Sequence, residues 1–272
     1  MSNLLGNLNV VPKASAPTAQ SISPAPAGST STAPTPKISG AIASITATPT
    51  RPVVYQPNVA IVGDTGTGKT TSLRNLDWSQ TLFVDAEQKG LSFAADMPYY
   101  AAPRTSFDIE KAMFSPSAPA VVVLDSLTKY IELLDAEMNA AHKGFEVWAQ
   151  YNMRMQQFLN RCKSTERTFI VTAIPEILTL TASDGVQAEN VRRIRTRGKQ
   201  WEGQIEKEFA FVFYTVYKTD MKAAPPKTVY QFQTNAAGMN RAKSPMGCFE
   251  ELYIDNDISA ALKQMRAHLK LA

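Results

Sequence analysis

The sequence predicts an α/β fold with a mostly parallel central sheet flanked by helices. Three observations carry that expectation. Short runs of Val, Ile, Leu and Ala lack polar alternation, as strands buried on both faces do. Segments with apolar residues three and four apart lie between those runs, the alternation expected of parallel strands joined by helices. A glycine-rich turn follows the first run directly.

The chain has 272 residues, and the first 57 are set apart from the rest. They are dominated by Ala, Ser, Thr and Pro and hold nine of the 17 prolines, and the first acid is Asp64. Too little apolar surface is present there to offset the entropy of ordering, so residues 1–57 read as a disordered tail and residues 58–272 as one domain. The tail carries three of the 28 basic residues, which leaves 25 against 24 acids in the domain. A nearly neutral domain directs any nucleic-acid argument to local clusters rather than to the pI. No signal peptide and no membrane-length apolar run is read, and membrane partners are not expected. Two isolated cysteines, Cys162 and Cys248, and two isolated histidines, His142 and His268, suit a reducing cytoplasm and argue against a structural zinc site.

From residue 58 onward the elements come in order. Residues 59–62 form a short apolar strand, and a helix is expected from Lys69 to Leu76 after the turn. Residues 81–84 read as a second strand. Residues 107–114 have helical spacing, with Ser106 as N-cap. Residues 120–124 (AVVVL) are a buried strand, and two amphipathic helices follow at 127–141 and 147–162. Residues 168–173 form another buried strand. A polar stretch at 181–203 interrupts, residues 209–217 and 228–234 return to strand patterns, and 258–269 close as a helix.

Gly63-Asp64-Thr65-Gly66-Thr67-Gly68-Lys69-Thr70 fits the GxxxxGK[ST] pattern without departure. Between a strand and a helix, such a loop lets successive backbone N–H groups curl around a phosphate. Lys69 would bridge the β- and γ-phosphates, Thr70 would ligate Mg²⁺, and Thr71 completes the binding set. The expected ligands are ATP and Mg²⁺.

A triphosphatase also needs a carboxylate near the metal and a base for the attacking water. Asp125 ends the 120–124 run, so the strand would deliver it to the carboxyl edge of the sheet beside the loop. The same position also suits a helix N-cap acid, a role Ser126 can fill. Glu87 and Asp85 end the second strand.

At these residues the sequence resembles the RecA-like ATPases. In that family a strand ending in apolar-apolar-Asp-Ala-Glu carries the glutamate that activates water, and Phe83–Glu87 matches it. Leu124-Asp125-Ser126 matches the strand-Asp-Ser pattern. The resemblance implies a RecA-like P-loop NTPase core, with Glu87 as general base, Asp125 as the Mg²⁺-linked acid and Asp85 in a structural role. It also points to Arg241 and Lys243, two basic residues one apart, as groups reaching a neighbouring subunit's γ-phosphate; a solvated turn fits them equally. Where RecA itself has a glutamine that senses the γ-phosphate, residues 169–173 offer the shorter Thr172, which does not carry that switch over. The likeness extends to the short bacteriophage-encoded members, including those that promote single-strand annealing. It implies a ring or filament of copies and a place in the cytoplasm of a bacterial host.

Arg192, Arg193, Arg195, Arg197 and Lys199 fall within eight residues. If residues 191–199 are extended, Arg193, Arg195, Arg197 and Lys199 share one face. Trp201 follows and would stack on a base. Contact with single-stranded DNA, contact with a neighbouring subunit's nucleotide, and a plain exposed hairpin all fit this pattern.

Three functions remain in view. The first is an ATPase that binds single-stranded DNA and assists annealing, recombination or replication. The second is an ATP-dependent loader that meets a replication or recombination protein through the tail. The third, a small-molecule kinase with an arginine lid, is disfavoured by Glu87 and by the unbroken helices after Asp125.

Overall fold

A computed structural model describes residues 53–181 and 188–271. Residues 1–52 of the expected tail lie outside the described residues. The boundary expected at residue 57 moves slightly, because Gln56 N–H already donates to Ser164 O at 2.8 Å and Pro57 O accepts from Phe169 N–H at 3.2 Å.

The strands are β1 (Asn58–Val62), β2 (Thr81–Asp85), β3 (Tyr99–Ala101), β4 (Val121–Asp125), β5 (Thr168–Ala173), β6 (Pro175–Thr181), β7 (Ala188–Ile194), β8 (Phe211–Asp220), β9 (Lys227–Gln233) and β10 (Tyr253–Asp255). Eight of them form one sheet in the order β10-β9-β8-β1-β5-β4-β2-β3. All neighbours from β8 to β3 run parallel, and β9 and β10 add antiparallel strands at one edge. The helices are α1 (Ser106–Met113), α2 (Leu127–Ala141), α3 (Phe145–Arg161) and α4 (Ile258–Leu269). The predicted α/β architecture is therefore present.

Both faces of the sheet are covered, which explains the unbroken apolar runs. Ala60 and Val62 of β1, Val122 and Leu124 of β4, and Phe169 and Val171 of β5 pack with Ile109, Tyr130, Leu134, Tyr151 and Phe158 of α1–α3. The alternate residues Val59, Ile61, Val121, Val123 and Ile170 pack on the other face with Leu73, Trp78, Phe249, Leu262 and Met265. Tyr130 stacks on Phe158 at 4.1 Å between ring centres, locking α2 to α3.

Three local expectations change. The helix expected from Lys69 to Leu76 is a single 3-10 turn, Thr71–Leu73. Thr70, Thr71 and Ser72 are poor helix formers, and the Ser72 hydroxyl donates to Lys69 O at 2.6 Å, which competes with helix propagation. Ser106 is the first residue of α1 rather than its cap, because Thr105 Oγ1 accepts from Asp108 N–H at 3.0 Å. The extended segment expected over 191–199 stops at Ile194; Gly198 has φ 76° and a chain turn follows. β7 instead pairs with β6, which sequence reading passed over, as a separate antiparallel hairpin.

Candidate nucleotide site

β1 lies between β5 and β8, where the sheet's connections diverge, and its carboxyl end opens into the glycine turn. Gly63 must be glycine because Thr215 of β8 crosses directly behind it; a Cβ there would overlap the Thr215 hydroxyl. Gly66 and Gly68 have φ of 80° and 91°, in the left-handed region that only glycine enters without strain. Thr67 is buried and pins the turn from within, donating to Asp64 O at 2.7 Å and meeting the Thr215 hydroxyl at 2.5 Å. Lys69 curls into the loop, its ammonium 2.8 Å from both Gly63 O and Asp64 O. A phosphate entering the loop would compete with two neutral carbonyls, and charge-assisted bonds are the stronger kind.

Strand register brings the acids to this loop. β4 pairs with β2 so that Asp125 faces Asp85, and with β5 so that Leu124 faces Val171, leaving Thr172 beside Asp125. Asp125 accepts from the Thr70 hydroxyl at 2.7 Å and from the Thr172 hydroxyl. Burial raises its pKa above the ordinary carboxylate value, against the pull of those two hydroxyls. Burial also lowers the Lys69 ammonium, with Asp125, Glu87 and Asp64 opposing. Each partner thus pays desolvation that an opposite charge would relieve.

Glu87 is set beside Asp125 by the main chain: Asp125 O accepts from Ala86 N–H at 2.9 Å and Glu87 N–H at 3.3 Å. Its carboxylate accepts from the Ser126 hydroxyl at 2.7 Å and is paired with Lys89. Burial works to raise the Glu87 pKa, but the bonds from Lys89 and Ser126 outweigh it and hold the group below the usual value. Ser126 also caps α2, accepting from Lys129 N–H at 3.2 Å. Asp85 is 2% exposed and accepts from Gly90 N–H at 3.0 Å and the Tyr100 hydroxyl at 2.9 Å.

One cleft of about 680 Å³ is lined by Thr65, Gly66, Gly68, Lys69, Thr70 and Thr71 of the loop with Asp85, Glu87, Lys89 and Asp125. Lys227–Tyr230, Asp255–Asp257 and Arg74 line it as well, and Tyr230 and Asn256 lie against Gly68. Asn256 there is 5% exposed, and its side-chain NH₂ has no hydrogen-bond partner among the described residues. Sequence reading missed these lining residues because β9 and β10 carry no local signal of binding; only the antiparallel edge folds them over the loop. Lys89 was within sight, two residues after Glu87.

A family described as AAA domain matches residues 56–245, a span that includes the phosphate loop, Glu87 and Asp125. The chain belongs to the AAA domain family. The match supports a P-loop ATPase. Among solved structures the AAA domain is similar to the flagellar accessory protein FlaH from Methanocaldococcus jannaschii, with 11% identity, a TM-score of 0.35, and coverage of 66% of this chain and 79% of that one. No curated protein matches it.

The basic residues of the AAA domain divide. Arg192 points to the phosphate loop, its guanidinium 2.6 Å from Asp64 Oδ2 and 3.3 Å from Asn240 Oδ1. Arg193 is half-buried, Arg195, Arg197 and Lys199 are exposed, and Arg197 lies 3.8 Å from Asp135. The four do not share a strand face, since β7 has ended. Trp201 is 2% exposed and its indole N–H donates to Asn152 at 3.0 Å, so it is a core residue and not a stacking platform. Arg241 pairs with Glu189 of the hairpin, and Lys243 sits 3.5 Å from Lys207 O; neither lines the cleft.

The donor set fits Mg²⁺. Among the described residues no group of three or more His, Cys, Asp or Glu side chains could hold a metal by itself. Thr70 and Asp125 offer two hard oxygens, and Mg²⁺ is ordinarily held by one or two protein oxygens with phosphate and water completing its shell. No helix among the described residues is long and apolar enough to cross a membrane.

Proposed function

We propose that the protein hydrolyses ATP with Mg²⁺ and uses the cycle on single-stranded DNA. The observation that supports the chemistry is the convergence of Lys69, Thr70, Asp125 and Glu87 at one sheet edge, on one cleft. The loop amides and Lys69 bind the β- and γ-phosphates. Thr70 and Asp125 hold Mg²⁺, which would neutralise phosphate charge. Glu87 orients a water toward the γ-phosphorus and takes its proton as the bond to ADP breaks. The Tyr230 ring, half-exposed where β9 lines the cleft, receives the base.

Single-stranded DNA is assigned to the exposed Arg195, Arg197 and Lys199 with Arg193, at the root of the β6–β7 hairpin. Arg195 N–H donates to Ile174 O at 2.9 Å, just past the end of β5, the strand whose Thr172 touches Asp125. Annealing or recombination assistance is the role that fits such coupling. Arg241 and Lys243 stand outside the cleft of their own subunit, so their proposed contribution is to a neighbouring copy in a ring or filament.

The test is steady-state ATPase with and without Mg²⁺ and single-stranded DNA, on the parent, Lys69→Ala and Glu87→Gln. Lys69→Ala should abolish nucleotide binding. Glu87→Gln should keep binding and lose turnover by about 10²–10³-fold. Turnover retained in Glu87→Gln would remove it from the mechanism.

A further inference from the structure

Lys89 lines the same cleft as Lys69, Thr70 and Asp125. Its ammonium is bonded to Glu87 Oε2, while the Ser126 hydroxyl holds Oε1 at 2.7 Å. Each oxygen of the proposed base therefore already accepts one hydrogen bond. A carboxylate so held keeps lone pairs for a water but has little appetite for its proton.

The placement of Lys89 is built. Gln88 and Gly90 have φ of 54° and 72°, so the chain doubles back sharply on either side of it. Asp85, buried beneath, anchors the turn through Gly90 N–H and the Tyr100 hydroxyl. The Lys89 side chain itself is 73% exposed. Its bond to Glu87 is thus a weak tie on a flexible four-carbon stem, held in place by a rigid base.

We propose that Lys89 is a further catalytic residue that reads the terminal phosphate, resting on Glu87 until a triphosphate fills the cleft and then moving onto the γ-phosphate. The inference rests on the reading of the cleft as an ATP hydrolase. The γ-phosphate carries up to two negative charges where the glutamate carries one, so it is the stronger attractor for an ammonium. The transfer does two things together: it removes the ammonium that keeps Glu87 from taking a proton, and it adds a second cation to the group being transferred. A diphosphate presents nothing at that place, so with ADP bound the base stays covered. In the step itself, a water oxygen bonds to the γ-phosphorus, the bond from phosphorus to the β-bridging oxygen breaks, and Glu87 takes the water proton. Lys89 remains an ammonium throughout.

The test compares affinity for ADP and for ATPγS, both with Mg²⁺, by calorimetry in the parent, Lys89→Met and Lys89→Arg. Lys89→Met should lose about tenfold of its preference for the triphosphate, keep its ADP affinity, and turn ATP over about tenfold more slowly. Lys89→Arg should retain part of the preference. An unchanged ratio, an equal loss for both nucleotides, or faster turnover in Lys89→Met would each overturn the proposal. Lys69→Ala measured alongside separates the two levels. If it still binds nucleotide like the parent, the hydrolase reading has failed; if it does not and the ratio is unmoved in Lys89→Met, only the role of Lys89 has.

Discussion

Arg192 of the hairpin strand and Asp64 of the phosphate loop form an ion pair of 2.6 Å across 128 residues of sequence. Arg192 N–H also donates to Met239 O at 2.7 Å, and its carbonyl accepts from the Tyr214 hydroxyl at 2.7 Å. The residue at the head of the basic cluster therefore belongs to the nucleotide loop, and the hairpin is tied to that loop at its root.

That tie sets a first prediction. In Arg192→Met the Asp64 charge is left uncompensated beside the triphosphate, and ATP affinity should fall by about three- to tenfold. The double variant Asp64→Asn, Arg192→Met should recover most of the loss. Calorimetric titration of all four members of the cycle measures the coupling, and additive effects would show that the pair is incidental.

Gly63 supplies a second. An added Cβ collides with the Thr215 hydroxyl, and the Thr67 hydroxyl bonded to it is close as well. Gly63→Ala should lose about 1–3 kcal/mol of stability in urea unfolding, together with most nucleotide binding. Adding Thr215→Ala should return part of the stability, because it removes the atom that is struck. A tolerated Gly63→Ala would mean that β8 can yield at this crossing.

The exposed cations give a third. Replacing Arg195, Arg197 and Lys199 together by Ala should weaken single-stranded DNA binding and flatten the log–log salt dependence by about 2, at roughly 0.7 per phosphate contact. Fluorescence anisotropy between 50 and 200 mM salt reads the slope. An unaltered slope would move the DNA contact elsewhere or leave this surface to a neighbouring subunit.

Glu206 gives a pH-dependent one. It is 3% exposed, accepts from Ile194 N–H at 2.7 Å, and its second oxygen has no partner among the described residues. Burial raises its pKa, against the pull of the backbone N–H groups of Ile194 and Glu206 and the charges of Arg193 and Lys243. A carboxyl raised in the folded state binds its proton more tightly there than when unfolded. Its contribution is therefore best at low pH and declines as pH rises from the ordinary carboxylate value through the raised one. Glu206→Gln removes that decline. It should melt about 2–4 °C above the parent at pH 8, a gain of about 1 kcal/mol, with the gap narrowing at pH 5. A gap constant with pH would place the effect outside this carboxyl.

The positions of the phosphate loop and Asp125 were legible in the sequence because each is a local pattern, a loop bounded by a strand and an acid that ends one. Glu87 was singled out by the resemblance at Phe83–Glu87. α2, α4 and β5 were read to the residue, since an amphipathic or continuously buried run announces itself. The hairpin was not, because β6 packs little of its surface and Ile177 is 62% exposed. Without burial on one face there is no alternation to read.

The sequence by itself determined the chemistry available, because glycine backbone freedom, an ammonium and two strand-end carboxylates follow from residue type and short spacing. Tertiary structure alone decided how the charges were allotted. Arg192 went to Asp64, Trp201 to the core, and Asn256 to the lining of the cleft. The physical reason is reach: an ion pair or a buried amide depends on which strands are neighbours and in what register, and sheet order is a long-range property that no local window contains.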